Sequence, residues 1–367
     1  MDKLRFATIG CGRIAKKHME GIANNYDDAK LVALCDVVQD KAEEKSKIYN
    51  EFLAQKGIVQ SKINIYRDYR EMIQKEKIDV VTIATESGYH AKIALDCLNA
   101  GINVIVEKPI ALSTADADLM VKTARENNRK LCVCHQNRFN KAVQMTRKAL
   151  EDGRFGKLIN GTARILWNRD MSYYKQAPWR GTWKLDGGTL MNQCIHDIDL
   201  LQWMLGGEVD TVYAQCDTYL RDIEGEDFGA VIIRFKNGAI GIIEGSACVY
   251  PKNLEETLSI FGQKGTVCIG GLAVNRIETW RFEDGAESES DVLRRQEGDP
   301  DTVYGFGHTP LFKDMIESIR EGREPLVNGE SGSVAMDIVL AAYKSRKTGM
   351  PVKFPIGSFS TLDMQGC

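Results

Sequence analysis

Apolar and polar positions fall into two textures along the chain. In the first third, short apolar runs are separated by segments whose apolar residues return every three or four positions. Arg5–Ile9, Leu31–Cys35, Val80–Ala84, Ile102–Glu107 and Leu131–Cys134 read as strands. Arg13–Asn24 reads as a helix, with Ile14, His18 and Ile22 at helical spacing, as do Asp40–Lys56, His90–Ala100 (closed by Gly101) and Asp116–Asn127. Strands alternating with helices predict a doubly wound parallel sheet. Beyond about residue 155 strand-like runs dominate: Leu158–Trp167, Val209–Tyr219, Phe228–Phe235, Ala239–Val249, Thr257–Gly262, Thr266–Ile269 and Arg276–Phe282. Asn237-Gly238 between two of them is a hairpin signal. Helices are expected between Leu190 and Met204, at Pro310–Glu321 and at Ser331–Arg346, and a flexible polar loop over Gly285–Pro300. The expected architecture is an α/β domain over residues 1–135 and an α+β domain on a largely antiparallel sheet over 136–367.

Composition narrows the function classes. A length of 367 residues suits two cores. With 48 basic and 51 acidic residues, net charge −3, the chain has no general attraction for nucleic acid or an anionic membrane. No apolar stretch approaches the about 18 residues of a membrane span, and no apolar leader follows the start, so a cytoplasmic protein is expected. Ten cysteines without C-x-x-C spacing read as reduced, apolar packing groups, and neither zinc nor disulfides are expected.

Gly10-Cys11-Gly12-Arg13-Ile14-Ala15 follows a strand and opens a helix, the context that a G-x-G-x-x-G/A dinucleotide fingerprint requires. Gly10 permits the turn, Gly12 lets a pyrophosphate approach the backbone, and Ala15 allows close packing. Asp36 ends the next strand, where a carboxylate accepts hydrogen bonds from ribose hydroxyls and repels a 2′-phosphate. No arginine follows in Val37-Val38-Gln39, which favours NAD over NADP.

Glu107-Lys108-Pro109, Gln136-Asn137-Arg138-Phe139, and Gly187-Gly188 leading through Asn192 to His196-Asp197-Ile198-Asp199, join the glycine motif in a pattern that resembles the Gfo/Idh/MocA oxidoreductases over nearly the whole chain. The resemblance implies a Rossmann first domain, an open-faced second sheet used for homodimers or homotetramers, and a sugar held between that sheet and the nicotinamide. It extends the expected cofactor site to Arg13, Ile14, Thr85, His90, Glu107, Lys108, Gln136 and Arg138. Trp167–Tyr174, Trp179–Trp183, Asp186–His196 and Tyr304–His308 are similar to the bacterial UDP-N-acetylglucosaminuronic acid 3-dehydrogenases, the WlbA/WbpB group. That likeness implies NAD-dependent oxidation at the sugar C3 in O-antigen biosynthesis, with 2-oxoglutarate as a recycling partner in some members. The superfamily usually carries Asp where this chain has Asn192.

The expected catalytic groups are Lys108, His196 and Asn192. His196 is the preferred general base and Lys108 the donor to the reacting oxygen; exchange of those two roles stays open. The i, i+4 spacing places Asn192 and His196 on one helix face. Arg138, Arg169 and Arg180 suit a carboxylate or phosphate. Trp179 and Trp183 suit packing on sugar or base, or alternatively cover of the sheet edge; Tyr173, Tyr174 and His308 suit sugar hydroxyls. His18, His90 and His135 are expected to pack or to touch the cofactor indirectly. An inositol or free-sugar dehydrogenase and a non-catalytic NAD-sensing regulator are the competing readings.

Overall fold

Regular alternation in the first third produces six parallel strands: β1 (Leu4–Ile9), β2 (Ala29–Cys35), β3 (Asn64–Tyr66), β4 (Val80–Ile83), β5 (Asn103–Val106) and β6 (Leu131–Val133). Their order is β3-β2-β1-β4-β5-β6, reversing beside β1 as doubly wound sheets do. Five helices connect them: α1 (Ala15–Asn24), α2 (Gln39–Gln55), α3 (Tyr69–Lys75), α4 (His90–Asn99) and α5 (Thr114–Glu126). β1, β4 and β5 are mostly or wholly buried, so they read as continuous apolar runs. The computed structural model describes residues 2–295 and 305–367.

The rest of the chain supplies α6 (Lys141–Glu151), β7 (Leu158–Leu166), α7 (Met171–Tyr174), α8 (Thr189–Asn192) and α9 (Ile195–Met204). Then come β8 (Val209–Asp217), β9 (Phe228–Phe235), β10 (Ile240–Ser246), β11 (Glu255–Gly262), β12 (Gly265–Gly270) and β13 (Arg276–Phe282). α10 (Glu289–Arg294), α11 (His308–Glu321), α12 (Gly329–Thr348) and β14 (Val352–Lys353) complete the chain. The second sheet has eight strands ordered β13-β12-β11-β7-β10-β9-β8-β14, antiparallel except where β10 pairs parallel with β7. Along β8 and β9 buried and exposed residues alternate, the signature of a sheet with one covered face. Asn237-Gly238 turns β9 into β10.

Two compact units result. The first comprises Met1–Ala111, Ala115–His135 and His308–Ser333; the second comprises Leu112–Thr114, Gln136–Gly307 and Val334–Cys367. The helix α11 therefore joins the first unit, although it lies far beyond residue 135 in sequence.

Among the described elements, β3, α3, α6, α7 and β14 escape the periodicity reading. α3 carries a local signal, because Asp68 caps it by accepting from the Arg70 N–H. α6 buries Ala142, Val143, Thr146 and Ala149 on one stripe. The expected loop over Gly285–Pro300 is corrected in part: Ser288 caps α10 through the Asp291 N–H, and the acidic first turn suits that helix start. Residues 296–300 of that stretch, and Tyr304 of the Tyr304–His308 motif, lie outside the described residues.

Candidate active site

In the first unit, Gly10 has φ 90° and donates its N–H to the Cys35 carbonyl at 2.9 Å. A Cβ there would meet the Ala84 backbone carbonyl at 2.6 Å, so only glycine fits. Nothing lies within 4 Å of the corresponding point on Gly12, which leaves that backbone open to a phosphate. α1 begins with no side-chain cap at Ile14 and no acid in its first turn, leaving N–H donors for an anion. Asp36, half-buried beyond β2, accepts from the Cys11 and Val38 N–H groups at 2.8 Å each. Open glycine, uncapped helix start and strand-end carboxylate fit the pyrophosphate and ribose of NAD. Arg67, invisible to a reading of neighbours in sequence, reaches the Val37 carbonyl at 3.3 Å.

The segment after β5 is held from within the same unit. The Glu107 side chain is buried; its Oε1 lies 3.0 Å from His18 Nε2 and 3.6 Å from His308 Nε2. Burial alone would raise the Glu107 pKa, but the two imidazoles hold it well below the carboxylate range. His90 is buried with Nδ1 2.8 Å from the Pro109 carbonyl and Nε2 3.2 Å from the Thr85 carbonyl, and burial lowers its pKa. Lys108 alone of Glu107-Lys108-Pro109 is partly exposed. These placements revise two expectations: the Glu107 carboxylate and the His90 ring are engaged by groups of their own unit. They correct a third as well, since His308 belongs to this buried cluster and not to a surface that binds sugar hydroxyls. His18, Glu107 and His308 bring donor atoms within 4.8 Å of one another, the grouping with metal-ligand chemistry found among the described residues.

In the second unit, residues Thr189 to Leu200 are buried except Asn192 and His196, which are half-exposed. The expected single helix is interrupted: α8 ends at Asn192 and α9 starts at Ile195. The Cys194 N–H bonds the Thr189 carbonyl at 3.0 Å, five residues back, so one residue bulges out of α-helical register. The simple i, i+4 face for Asn192 and His196 is corrected accordingly. Asn192 Nδ2 donates to Asp186 Oδ1, while Asp186 Oδ2 accepts the Gly181 N–H at 2.7 Å. Gln136 Nε2 lies 3.4 Å from His196 Nε2, so that residue, expected at the cofactor, touches the imidazole instead.

Arg138 is also corrected. Its guanidinium is 1% exposed and grips Asp199 with two bonds of 2.7 and 2.6 Å, with Trp203 beneath. It forms a buried charge pair within the second unit. Trp183, one of the two tryptophans considered for sugar packing, is buried edge-on against Tyr343 with ring centroids 5.1 Å apart.

The other cations do converge. Tyr173 lies between two guanidiniums, Arg180 at 4.3 Å and Arg169 at 5.4 Å from the ring centroid. Its hydroxyl accepts from Arg180 and from Gln193 Nε2, and Gln193 Nε2 lies 3.3 Å from Asn192 Oδ1. Arg180 also stacks on Trp179 at 4.7 Å. Arg169, Tyr173, Trp179 and Arg180 are all half-exposed. Tyr174 is buried against Tyr173.

Buried acids that the sequence did not reveal shape this unit. Glu226 Oε1 accepts from the Leu190 N–H at 2.6 Å and the Tyr343 hydroxyl at 3.2 Å, and that hydroxyl accepts the Gly188 N–H. A Cβ on Gly188 would fall 1.6 Å from Glu226 Oε2, which explains the glycine. Burial pushes Glu226 up to about 8. Asp197 on α9 and Glu256 on β11 are buried as well; burial pushes Asp197 up to about 8 and Glu256 well above the usual range.

Comparison with known proteins reports on the whole chain. Residues 4–135 match the oxidoreductase family with an NAD-binding Rossmann fold, and residues 143–268 match the GFO/IDH/MocA C-terminal domain. The WlbA dehydrogenase of Bordetella pertussis, solved with NADH and UDP-GlcNAcA, is 36% identical with a TM-score of 0.83, covering 96% of this chain and 99% of that one. The WlbA enzyme of Chromobacterium violaceum, solved with the same two ligands, is 33% identical with a TM-score of 0.85, covering 96% of each chain. The myo-inositol 2-dehydrogenase of Thermotoga maritima is 27% identical over 95% of this chain and 98% of its own. No described helix is long and apolar enough to cross a membrane.

Proposed function

As the chain belongs to the Gfo/Idh/MocA family of NAD-dependent oxidoreductases, we propose that it oxidises the C3 hydroxyl of UDP-N-acetylglucosaminuronic acid to a ketone. The observation that carries this reading is the linked chain Arg180–Tyr173–Gln193–Asn192, flanked by Arg169. It offers cations and aromatic faces suited to an acidic sugar nucleotide, tied by hydrogen bonds to a half-exposed amide four residues before His196. The likeness to two enzymes solved with UDP-GlcNAcA supports the same substrate.

Bound NAD supplies the hydride acceptor. His196 takes the hydroxyl proton, with the Gln136 amide against Nε2 restraining its ring. Lys108 donates to the reacting oxygen as negative charge develops there. Asn192 donates its amide nitrogen to Asp186, and its carbonyl oxygen, shared with Gln193 Nε2, accepts from a sugar hydroxyl.

Inositol is the competing substrate, and the Thermotoga maritima relative speaks for it. A neutral polyol, however, gives Arg169 and Arg180 no charge to pair with. A regulator without turnover has no use for Lys108 and His196. The deciding measurement is NADH absorbance with purified protein, NAD and UDP-N-acetylglucosaminuronic acid, against myo-inositol and free hexoses. Turnover with the polyol and none with the sugar nucleotide would sink the proposal.

A further inference from the structure

We propose that Glu107 is a positioning residue for Lys108, and that His18 and His308 serve to hold its carboxylate. The inference rests on the reading of Lys108 as the proton donor. A carboxylate as enclosed as this one is strongly disfavoured unless its oxygens are satisfied, so its partners are part of the design. They come from two separate elements: His18 from α1 and His308 from α11. The imidazoles are packed rings, with His18 edge-on to Phe312 at 5.5 Å and 5.9 Å from His308.

What the clamped carboxylate reaches is the next residue. Glu107 Oε2 accepts the Lys108 N–H at 3.2 Å, while Oε1 faces His18 and His308. One peptide further on, the Pro109 carbonyl is fixed by His90 Nδ1. The main chain is thus gripped before and after Lys108, and the partly exposed side chain of the three is the lysine. A catalytic donor loses rate when displaced by about 1 Å, and this arrangement removes that freedom from the backbone.

A carboxylate offers two accepting oxygens and both are used; an amide offers one. Glu107→Gln therefore sets an NH2 group against either the Lys108 N–H or the imidazoles. The test is a double-mutant cycle on the full enzyme with UDP-N-acetylglucosaminuronic acid, with NAD affinity read separately by fluorescence. Glu107→Gln is expected to lower kcat at least tenfold, with KM and NAD affinity within threefold, and to change kcat less than twofold in a Lys108→Ala background. Glu107→Asp, which keeps two acceptors, is expected to recover part of the loss. His308→Gln, a milder change should Glu107→Gln fail to fold, is expected to lower kcat about threefold with NAD affinity retained. Equal losses in both backgrounds, or a kcat within twofold in Glu107→Gln, would overturn the proposal. So would one equivalent of a divalent metal in the purified protein that Glu107→Gln abolishes, since Glu107 would then be a ligand. Wild-type turnover in Lys108→Ala would instead remove the reading of the lysine itself.

Discussion

Asp186 and Asn192 form a carboxylate–amide pair, the acid accepting from the amide nitrogen. The pair fixes which end of Asn192 is presented. Asn192→Asp would set two carboxylates against one another, so that one must retain a proton and its pKa rises. The kcat of that variant is expected to fall as pH rises through about 6 to 8, more steeply than in the parent protein. Asp186→Asn, which lets the amide turn over, is expected to lower kcat about tenfold with stability little changed. Parallel pH–rate profiles check both.

Arg180 donates to the Tyr173 hydroxyl and stacks on Trp179. Arg180→Ala is expected to raise KM for the sugar nucleotide about tenfold to a hundredfold, the worth of one charge-assisted contact of roughly 1.5–3 kcal/mol. Arg180→Lys should recover little of it, because an ammonium lacks the planar fork. Steady-state kinetics at saturating NAD measures the effect.

The Arg138–Asp199 pair is buried on both sides. Breaking it from one side, as in Asp199→Asn or Arg138→Met, strands a charge or a donor set and costs about 3–5 kcal/mol. The expected outcome is a lower midpoint in denaturant unfolding, with NAD affinity of the folded fraction retained. Weakened cofactor binding without loss of stability would restore Arg138 to the ligand site.

Glu226 and Asp197 are both pushed up to about 8 by burial, whereas an unfolded chain ionises such acids near about 4. The native state then holds protons that the unfolded state has released, so stability is full below that lower value and declines as pH rises toward 8. The slope is at most about 1.4 kcal/mol per pH unit for each group. Thermal unfolding between about pH 6 and 9 should show a falling midpoint, and Glu226→Gln, which mimics the protonated acid, should flatten it.

Asp36 accepts from the glycine-loop backbone, and Arg67 stands at the neighbouring Val37 carbonyl. Asp36→Ala is expected to weaken NAD about tenfold and to narrow its preference over NADP, since repulsion of a 2′-phosphate is removed with a guanidinium at hand. Titration with both cofactors tests this, and an unchanged preference would exclude Asp36 from ribose recognition.

The first sheet was legible because parallel buried strands leave unbroken apolar runs, and because Gly10 marks a turn that few other residues permit. The second sheet was legible in its alternation and at Asn237-Gly238. Local patterns carried no information on the Arg138–Asp199 pair, since a guanidinium bound by an acid is written with the same letter as one awaiting substrate. The bulge between Asn192 and Ile195 was hidden for a similar reason: its apolar spacing continues while the hydrogen bonding shifts. Glu226 and the His308 side of the Glu107 cluster depend on contacts between distant segments, which periodicity does not reach.

The return of α11 to the first unit limits how the protein can be divided. Phe312 stacks on Phe6 and closes over Gly21, and Arg320 pairs with Asp28. A gene fragment ending at residue 135 would thus leave the back of α1 uncovered and delete one of the two imidazoles that restrain Glu107. Exchange of cofactor-binding halves between relatives therefore has to transplant two stretches of chain together, and a single-crossover chimera is expected to recover from cells mainly as insoluble material.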